Sequence, residues 1–354
     1  MLKGNKTEKH RQNKQRDLSI DFIRSLCAVG IIIFHFYCST DENLTKLFYE
    51  FANGSFGNTI VNIFFIISGA MLYYNNPKID SIKRFYYKRF KSIFPMFYLS
   101  FTVFYLIWAI RSRNFLYGGN PVKLFLTLFG VDGYFLYLEP NYYQVGEWFL
   151  GAIVILYAIY PLLLWIFNKS TFLATAIVII LYGIVFVPNL FKINIACNLF
   201  SCLISFEVGM LLMKYNQIWK KNMIIFMTSL FLSIVILFVK MNFIHENIFN
   251  HLLALCSFFF LSYLGDYIMQ SKTCNTVFLF ISRISFAVFL LQHIVVLFVL
   301  GRFMPGNDWI AILCLLGIIA ITIALAKVLT LINDRLLKTK LFRKLDKCFL
   351  KSKA

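Results

Sequence analysis

The sequence predicts an all-α integral membrane protein of about ten transmembrane helices with both termini cytoplasmic, and three observations carry that prediction. The first is apolarity. Of 354 residues, 60% are hydrophobic and only 14% charged, with 41 Phe and 19 Tyr, and the mean hydropathy is +0.72. An ordinary soluble domain carries about 25% charged residues, so too little polar surface exists here to cover a globule in water. Soluble enzymes, disordered chains and disulfide scaffolds are excluded on composition. The second observation is run length: a helical crossing takes about 20 mainly apolar residues. The third is the placement of charge.

Ten runs meet the length requirement: 19–39, 56–74, 93–111, 147–167, 171–188, 196–214, 222–241, 249–269, 280–301 and 309–332. An eleventh apolar stretch, Leu124 to Leu138, is interrupted by Gly130, Asp132 and Gly133. It reads as re-entrant or lying along the surface, because irregular backbone at membrane depth survives only when shielded by protein. No internal repeat is visible, which argues against inverted-repeat transporters. The first apolar run follows a long basic arm without a small-residue cleavage pattern, so it reads as a retained helix and not a signal peptide.

Lys plus Arg total 35 against 16 Asp plus Glu, a net charge of +19. Residues 1–17 hold six basic side chains, 75–92 six more and 335–353 eight. With Lys169, Lys214, Lys220, Lys221 and Lys272, these fall on the side of the termini. The opposite loops carry Asp41, Glu42, Glu50, Asp132, Glu139 and Glu246 among fewer basic residues. This asymmetry puts both termini in the cytoplasm and accounts for the charge without a nucleic-acid partner. The chain divides into a basic cytoplasmic arm (1–17), a transmembrane domain (18–332) and a basic cytoplasmic tail (333–354). The eight cysteines form no CxxC pair, so no metal or redox site is expected.

Ionisable residues inside spans are costly and are candidates for function. On the first span Asp21, Arg24 and His35 share one helical stripe about 60° wide, and Arg24 and His35 stand ~16 Å apart along the axis. The stripe reads either as a lined cavity or as an ion pair at a helix start beside a packing histidine. A neutral imidazole is suited to take a proton from a hydroxyl near neutral pH. On the second span Ser68 and Gly69 are small enough for close helix approach. The basic cluster Arg84, Lys88, Arg89 and Lys91, with Lys83, precedes Ile93-Phe94-Pro95, where Pro95 reads as a first-turn residue. That cluster is a topology anchor or a phosphate site. Glu147 opens the fourth span beside Trp148 and is placed to orient His35 or bind an acceptor. Asp266, Arg283 and Lys327 lie near inner ends and read as snorkelling or paired; Glu207 and His293 are too short to snorkel far.

Together these residues resemble acyltransferase family 3, membrane enzymes that include O-acetyltransferases of surface polysaccharides. The likeness rests on Arg24, ten residues, then His35, preceded by Asp21, and on Phe64-Phe65-Ile66-Ile67-Ser68-Gly69. It continues through Lys88-Arg89 before Ile93-Phe94-Pro95, then Trp148-Phe149-Leu150 with Tyr157 and Pro161. The last motif is Ile284-Ser285-Phe286 leading to Gln292-His293. Two departures are Ile153 and Ser92, where many members carry Glu and Arg; Glu147 or Glu207, and Lys91, would have to substitute. The resemblance implies an acyl group, acetyl in the first instance, moved from cytoplasmic acetyl-CoA to a hydroxyl of a carbohydrate such as capsule or O-antigen. It implies a multi-pass protein of a bacterial plasma (inner) membrane. His35 would act as general base or acyl carrier with Arg24, Asp21 and Glu147 beside it, and Arg84, Lys88, Arg89 and Lys91 would hold the donor's phosphates. A polysaccharide exporter or flippase is the competing class, separated by the order of the motifs.

Overall fold

Apolar runs that end at Gly, Pro, Asn or a charge cluster fold as a bundle of α-helices. The computed structural model describes residues 16–40, 56–238 and 244–350. Helix α1 is Leu18–Cys38, α2 is Phe56–Asn75 and α3 is Ile82–Ser112. A connecting segment then carries the single-turn helix α4, Leu124–Leu128, and 3-10 turns at Pro121–Lys123 and Tyr134–Tyr137. Helices α5, Glu147–Lys169, and α6, Thr171–Ile184, follow, and a 3-10 turn at Ile195–Cys197 leads to α7, Leu199–Lys214. The chain ends with α8, Asn216–Trp219, α9, Met223–Phe238, α10, Glu246–Ile268, α11, Lys272–Leu300, α12, Asp308–Leu337, and α13, Lys340–Leu350.

Seven of these, α1, α2, α3, α5, α10, α11 and α12, are long and apolar enough to cross a membrane. The other three expected spans hold shorter helices: α6 has 14 residues, α7 16 and α9 16. Fourteen residues reach about 21 Å, short of the ~30 Å hydrocarbon core. α6 stops where Gly183 and then Pro188 interrupt a run that composition alone extends to 188. α7 starts three residues later than expected because the Asn194 and Asn198 side chains accept backbone N–H groups at Ala196 (2.8 Å) and Phe200 (3.0 Å). Such local bonds favour turns and caps over helix interior.

α3 corrects a second expectation. It begins at Ile82, eleven residues before the apolar run, so Pro95 sits inside a 31-residue helix and not in its first turn. The extension is stabilised from its own sequence. Ser81 caps it by accepting from the Arg84 amide, and Phe85 stacks on Tyr160 of α5 with centroids 5.5 Å apart. Pro95 supplies no amide proton to the turn before it, a gap that long helices accommodate by bending.

α1, α2 and α11 are the most deeply enclosed of the spans. α2 and α7 pack backbone to backbone. A Cβ added to Gly69 would overlap the Phe206 carbonyl oxygen, and one on Gly209 would overlap the Ile66 carbonyl oxygen. The small residue expected at Gly69 is thus matched on the facing helix by Gly209, which the motif reading did not pair with it. The interrupted stretch 124–138 holds no long helix, as its glycines predict. Gly130 takes φ +67°, and buried Asp132 accepts from the Thr127 hydroxyl and the Gly133 amide, both at 3.0 Å.

Within the basic tail, Lys340–Leu350 forms a helix. Asp346 of α13 accepts from Lys91 Nζ (2.8 Å) and Tyr87 Oη (2.7 Å), and Phe349 stacks on Tyr87 at 4.8 Å. The charges of Asp41, Glu42, Lys46, Glu50 and Lys240, and most of the 1–17 arm, lie outside the described residues.

Candidate active site

The stripe predicted on α1 has two ends with different partners. At its start the Asp21 carboxylate is buried and crowded with donors. Arg16 Nη2 reaches it at 2.9 Å, the Ser282 hydroxyl of α11 at 2.6 Å, and Arg24 Nη1 at 3.4 Å. Asp21 therefore ties the basic arm, α1 and α11 together and leaves Arg24 with donors to spare. Arg24 Nη1 also lies 3.5 Å from the Ser282 hydroxyl.

At the far end His35 meets the first residue of α5. His35 Nε2 lies 3.2 Å from Glu147 Oε1, and His293 Nδ1 of α11 approaches the same oxygen to 3.3 Å. Gln292 Nε2 donates to that oxygen at 2.7 Å, and the two imidazole centroids are 4.9 Å apart. With Nε2–H donated to the carboxylate, His35 Nδ1 is the ring nitrogen left with a lone pair. The carboxylate at the helix N-terminus also faces the positive end of the α5 dipole.

The backbone holds Glu147 in a strained place. Gly146 has φ +90° and Glu147 itself φ +44°, a left-handed conformation that costs a non-glycine residue of order 1–3 kcal/mol. Gly133 packs so tightly on the Glu147 carbonyl that a Cβ there would overlap it. The interrupted segment 124–146 thus fixes the first turn of α5, and with it the carboxylate. His35 and Glu147 keep 13% and 16% of their side-chain surface exposed and His293 38%, so the cluster is reachable.

Between the two ends of the stripe lies a cavity of about 420 Å³ walled by α1, α2, α3, α5 and α11. Its polar lining includes Arg24, Ser68, Arg89, Tyr157, Arg283 and Ser285. Its apolar lining includes Phe149 and Phe289, the latter one turn before His293. Phe149 contacts Phe289 edge-on at 5.1 Å and Phe65 at 4.8 Å. These rings close the cavity on the side of the His35–Glu147 cluster. Arg89 lies over the Tyr157 ring at 5.7 Å.

A family model described as an acyltransferase domain matches residues 17–329. The chain belongs to acyltransferase family 3. Comparison with curated proteins and comparison with solved structures each gave no match.

The residues expected to serve this acyltransferase separate into three groups. His35 and Glu147 meet, as do Asp21 and Arg24. Of the basic cluster, Arg89 lines the cavity, whereas Lys91 is taken by Asp346, Lys88 is exposed and Arg84 is half-buried. Neither Ile153 nor Ser92, the two departures from the family pattern, is far away: both line the cavity. Glu207 is no substitute for the missing glutamate, since it is buried on α7 and accepts from Thr175 at 2.7 Å. Glu147 is the carboxylate that reaches the histidine.

His293 was expected as an intramembrane candidate and Gln292-His293 as a motif pair, but neither was placed beside His35 and Glu147, and Ser282 was not singled out. The signal for Gln292 and His293 was present, an adjacent polar pair in an apolar span, but nothing in the sequence tells which face of α11 meets α1. His35, Glu147 and His293 also place one ligand atom each within 4.8 Å of one another, a set able to accept a divalent ion that cysteine spacing does not foretell.

Proposed function

We propose that this acyltransferase is an O-acetyltransferase of a bacterial plasma membrane whose ten apolar segments all traverse the bilayer, the short helices α6, α7 and α9 together with their flanking residues, so that both termini are cytoplasmic. It moves acetyl from cytoplasmic acetyl-CoA to a hydroxyl of a surface polysaccharide or its lipid-linked precursor. The observation that carries the reading is the pairing of His35 with Glu147 at one end of a helix whose other end presents Arg24 to an arginine-lined cavity. Arg24 and Arg89 hold the donor's phosphates and the polar groups of its pantetheine arm, with Arg84 and Lys88 at the approach. The acyl end extends past Ser68 and Tyr157, and Phe149 and Phe289 turn aside to admit it.

His35 Nδ1 takes the proton of the acceptor hydroxyl as its oxygen attacks the thioester carbonyl carbon. The O–C bond forms, the C–S bond breaks, and the leaving thiolate receives the proton from the imidazolium. Glu147 holds the ring by its Nε2–H and stabilises the transient positive charge, the role a buried carboxylate plays beside a general-base histidine. Gln292 keeps that carboxylate aimed. Asp21 is a positioning residue that sets Arg24.

Purified protein in vesicles, given acetyl-CoA labelled in the acetyl group and a polysaccharide acceptor, tests the proposal. Label is expected on the glycan as a base-labile ester. Movement of unmodified glycan across the bilayer with no label transfer would overturn it in favour of a transporter.

A further inference from the structure

Helices α11 and α12 are 29 and 30 residues long, about ten more than a bilayer crossing takes. They are joined by the short turn 301–307, which sets a common level at one end. Counting about 20 residues from that turn, the length of a crossing, reaches position 281 on α11 and 327 on α12. Arg283 and Lys327 therefore lie at one depth, the boundary between hydrocarbon and headgroups on the side of the chain termini. Both are exposed.

The two cations line a crevice of about 660 Å³ between α11 and α12, with Phe280, Thr276, Thr330 and Asp334. Its size is in the range of cavities that hold small ligands. Lys327 Nζ lies over the Phe280 ring at 5.5 Å. Among the described residues neither Arg283 nor Lys327 has a carboxylate within 4 Å. Asp334 is two turns beyond Lys327, about 10 Å along the axis, and leaves the crevice with a net positive charge. The threonine hydroxyls stand on the headgroup side of the cations. A long cation near the bilayer surface can extend into water, but these two line the same crevice.

We propose that this crevice binds the phosphate of an anionic glycerophospholipid from the adjoining leaflet, held by Arg283 and Lys327; the Thr276 and Thr330 hydroxyls already donate to the Lys272 and Ala326 carbonyls at 2.8 Å and add only polar lining. Basic recesses between helices at headgroup depth suit such phosphates, and each cation near the surface contributes about a fivefold factor in affinity. Arg283 also lines the arginine cavity of the active site, so the lipid site and the acyltransferase cavity share a wall.

The test uses the full chain in detergent, titrated with phosphatidylglycerol and read by native mass spectrometry as lipid retained per protein. Lys327→Gln is expected to lower retention about fivefold and the Arg283→Gln, Lys327→Gln pair about 20–30-fold. Lys327→Arg and the distal control Lys272→Gln should match the parent, phosphatidylcholine should be retained weakly by all, and excess inorganic phosphate should not displace the lipid. Elution volume and melting temperature establish that each variant is folded, and Lys327→Gln alone suffices if the pair is not. Unchanged retention in Lys327→Gln, an equal loss in Lys272→Gln, or full displacement by inorganic phosphate would each overturn the proposal.

Discussion

Glu147 Oε1 stands 3.2 Å from His35 Nε2, linking the first residue of α5 to the last turn of α1. The carboxylate is reached only because residue 147 adopts φ +44° after a glycine at φ +90°. Glu147→Gln preserves the shape while removing the charge that favours an imidazolium. It is expected to lower kcat on the order of 10²-fold with little change in the KM for the donor. Steady-state kinetics of the reconstituted protein check this, and an equal fall in donor affinity would contradict a role confined to the histidine.

The His35, Glu147 and His293 set could hold a divalent ion, but Glu147 Oε1 already accepts from Gln292 at 2.7 Å. One lone pair of that oxygen is thereby engaged while the two imidazoles stand at 3.2 and 3.3 Å, which suits a carboxylate that orients histidines. Dialysis against EDTA is accordingly expected to leave acetyl transfer intact. Loss of activity that returns on adding zinc or manganese would make the cluster a metal centre.

Gly69 and Gly209 let α2 and α7 meet at backbone distance. Gly209→Leu is expected to lower the melting temperature and the yield of folded protein, by at least the ~1–3 kcal/mol typical of overpacked cores. Gly183→Ala, at a position that meets nothing within 4 Å, is the tolerant control and should not lower the melting temperature. Thermal melts monitored in detergent decide between them.

Burial pushes the Asp132 carboxyl up to about 6, against the hydrogen bonds from Thr127 and Gly133 that favour its charged form. An unfolded Asp titrates near 3.9, so between about pH 4 and 6 the folded segment binds the extra proton. Stability of segment 121–146 therefore falls as pH rises through that window. Hydrogen exchange of this segment should be slower at pH 5 than at pH 7.5 after correction for intrinsic rates. Asp132→Asn should remove the difference, and a persisting difference would place its origin elsewhere.

Lys91 and Tyr87 lower the Asp346 carboxyl below its ordinary value, so docking of α13 gains stability above the unfolded pKa and loses it as pH falls through the lowered one. Lys91→Gln is expected to speed tryptic cleavage within 340–350 while leaving the donor KM unchanged, since exposed pairs contribute about 1 kcal/mol or less. A raised donor KM would return Lys91 to the donor site.

Much of this architecture was legible in the chain because apolar run length and helical spacing are local properties. Arg24 and His35 announce themselves by eleven residues of separation on one stripe, and Gly69 by its size. What escaped depends on how helices rotate against one another. The partnership of Gly69 with Gly209, of Asp21 with Ser282 and of Glu147 with Gln292 joins residues 140 to 261 positions apart. Pro95 was misplaced because the stabilisation of residues 82–92 comes from Phe85 on Tyr160 and from the tail, not from local hydropathy. α6 and α7 came out short because single Gly, Pro and Asn residues outweighed an apolar average.

The claim on which the account depends is that His35 Nδ1 removes the proton from the acceptor. Its most direct test is single-turnover transfer of labelled acetyl from acetyl-CoA to glycan by wild-type and His35→Ala protein, with acetyl-CoA binding measured on the same samples. A fall of about 10²–10⁴-fold in the transfer rate is expected, with donor binding unchanged. Transfer by His35→Ala at the wild-type rate would contradict that role.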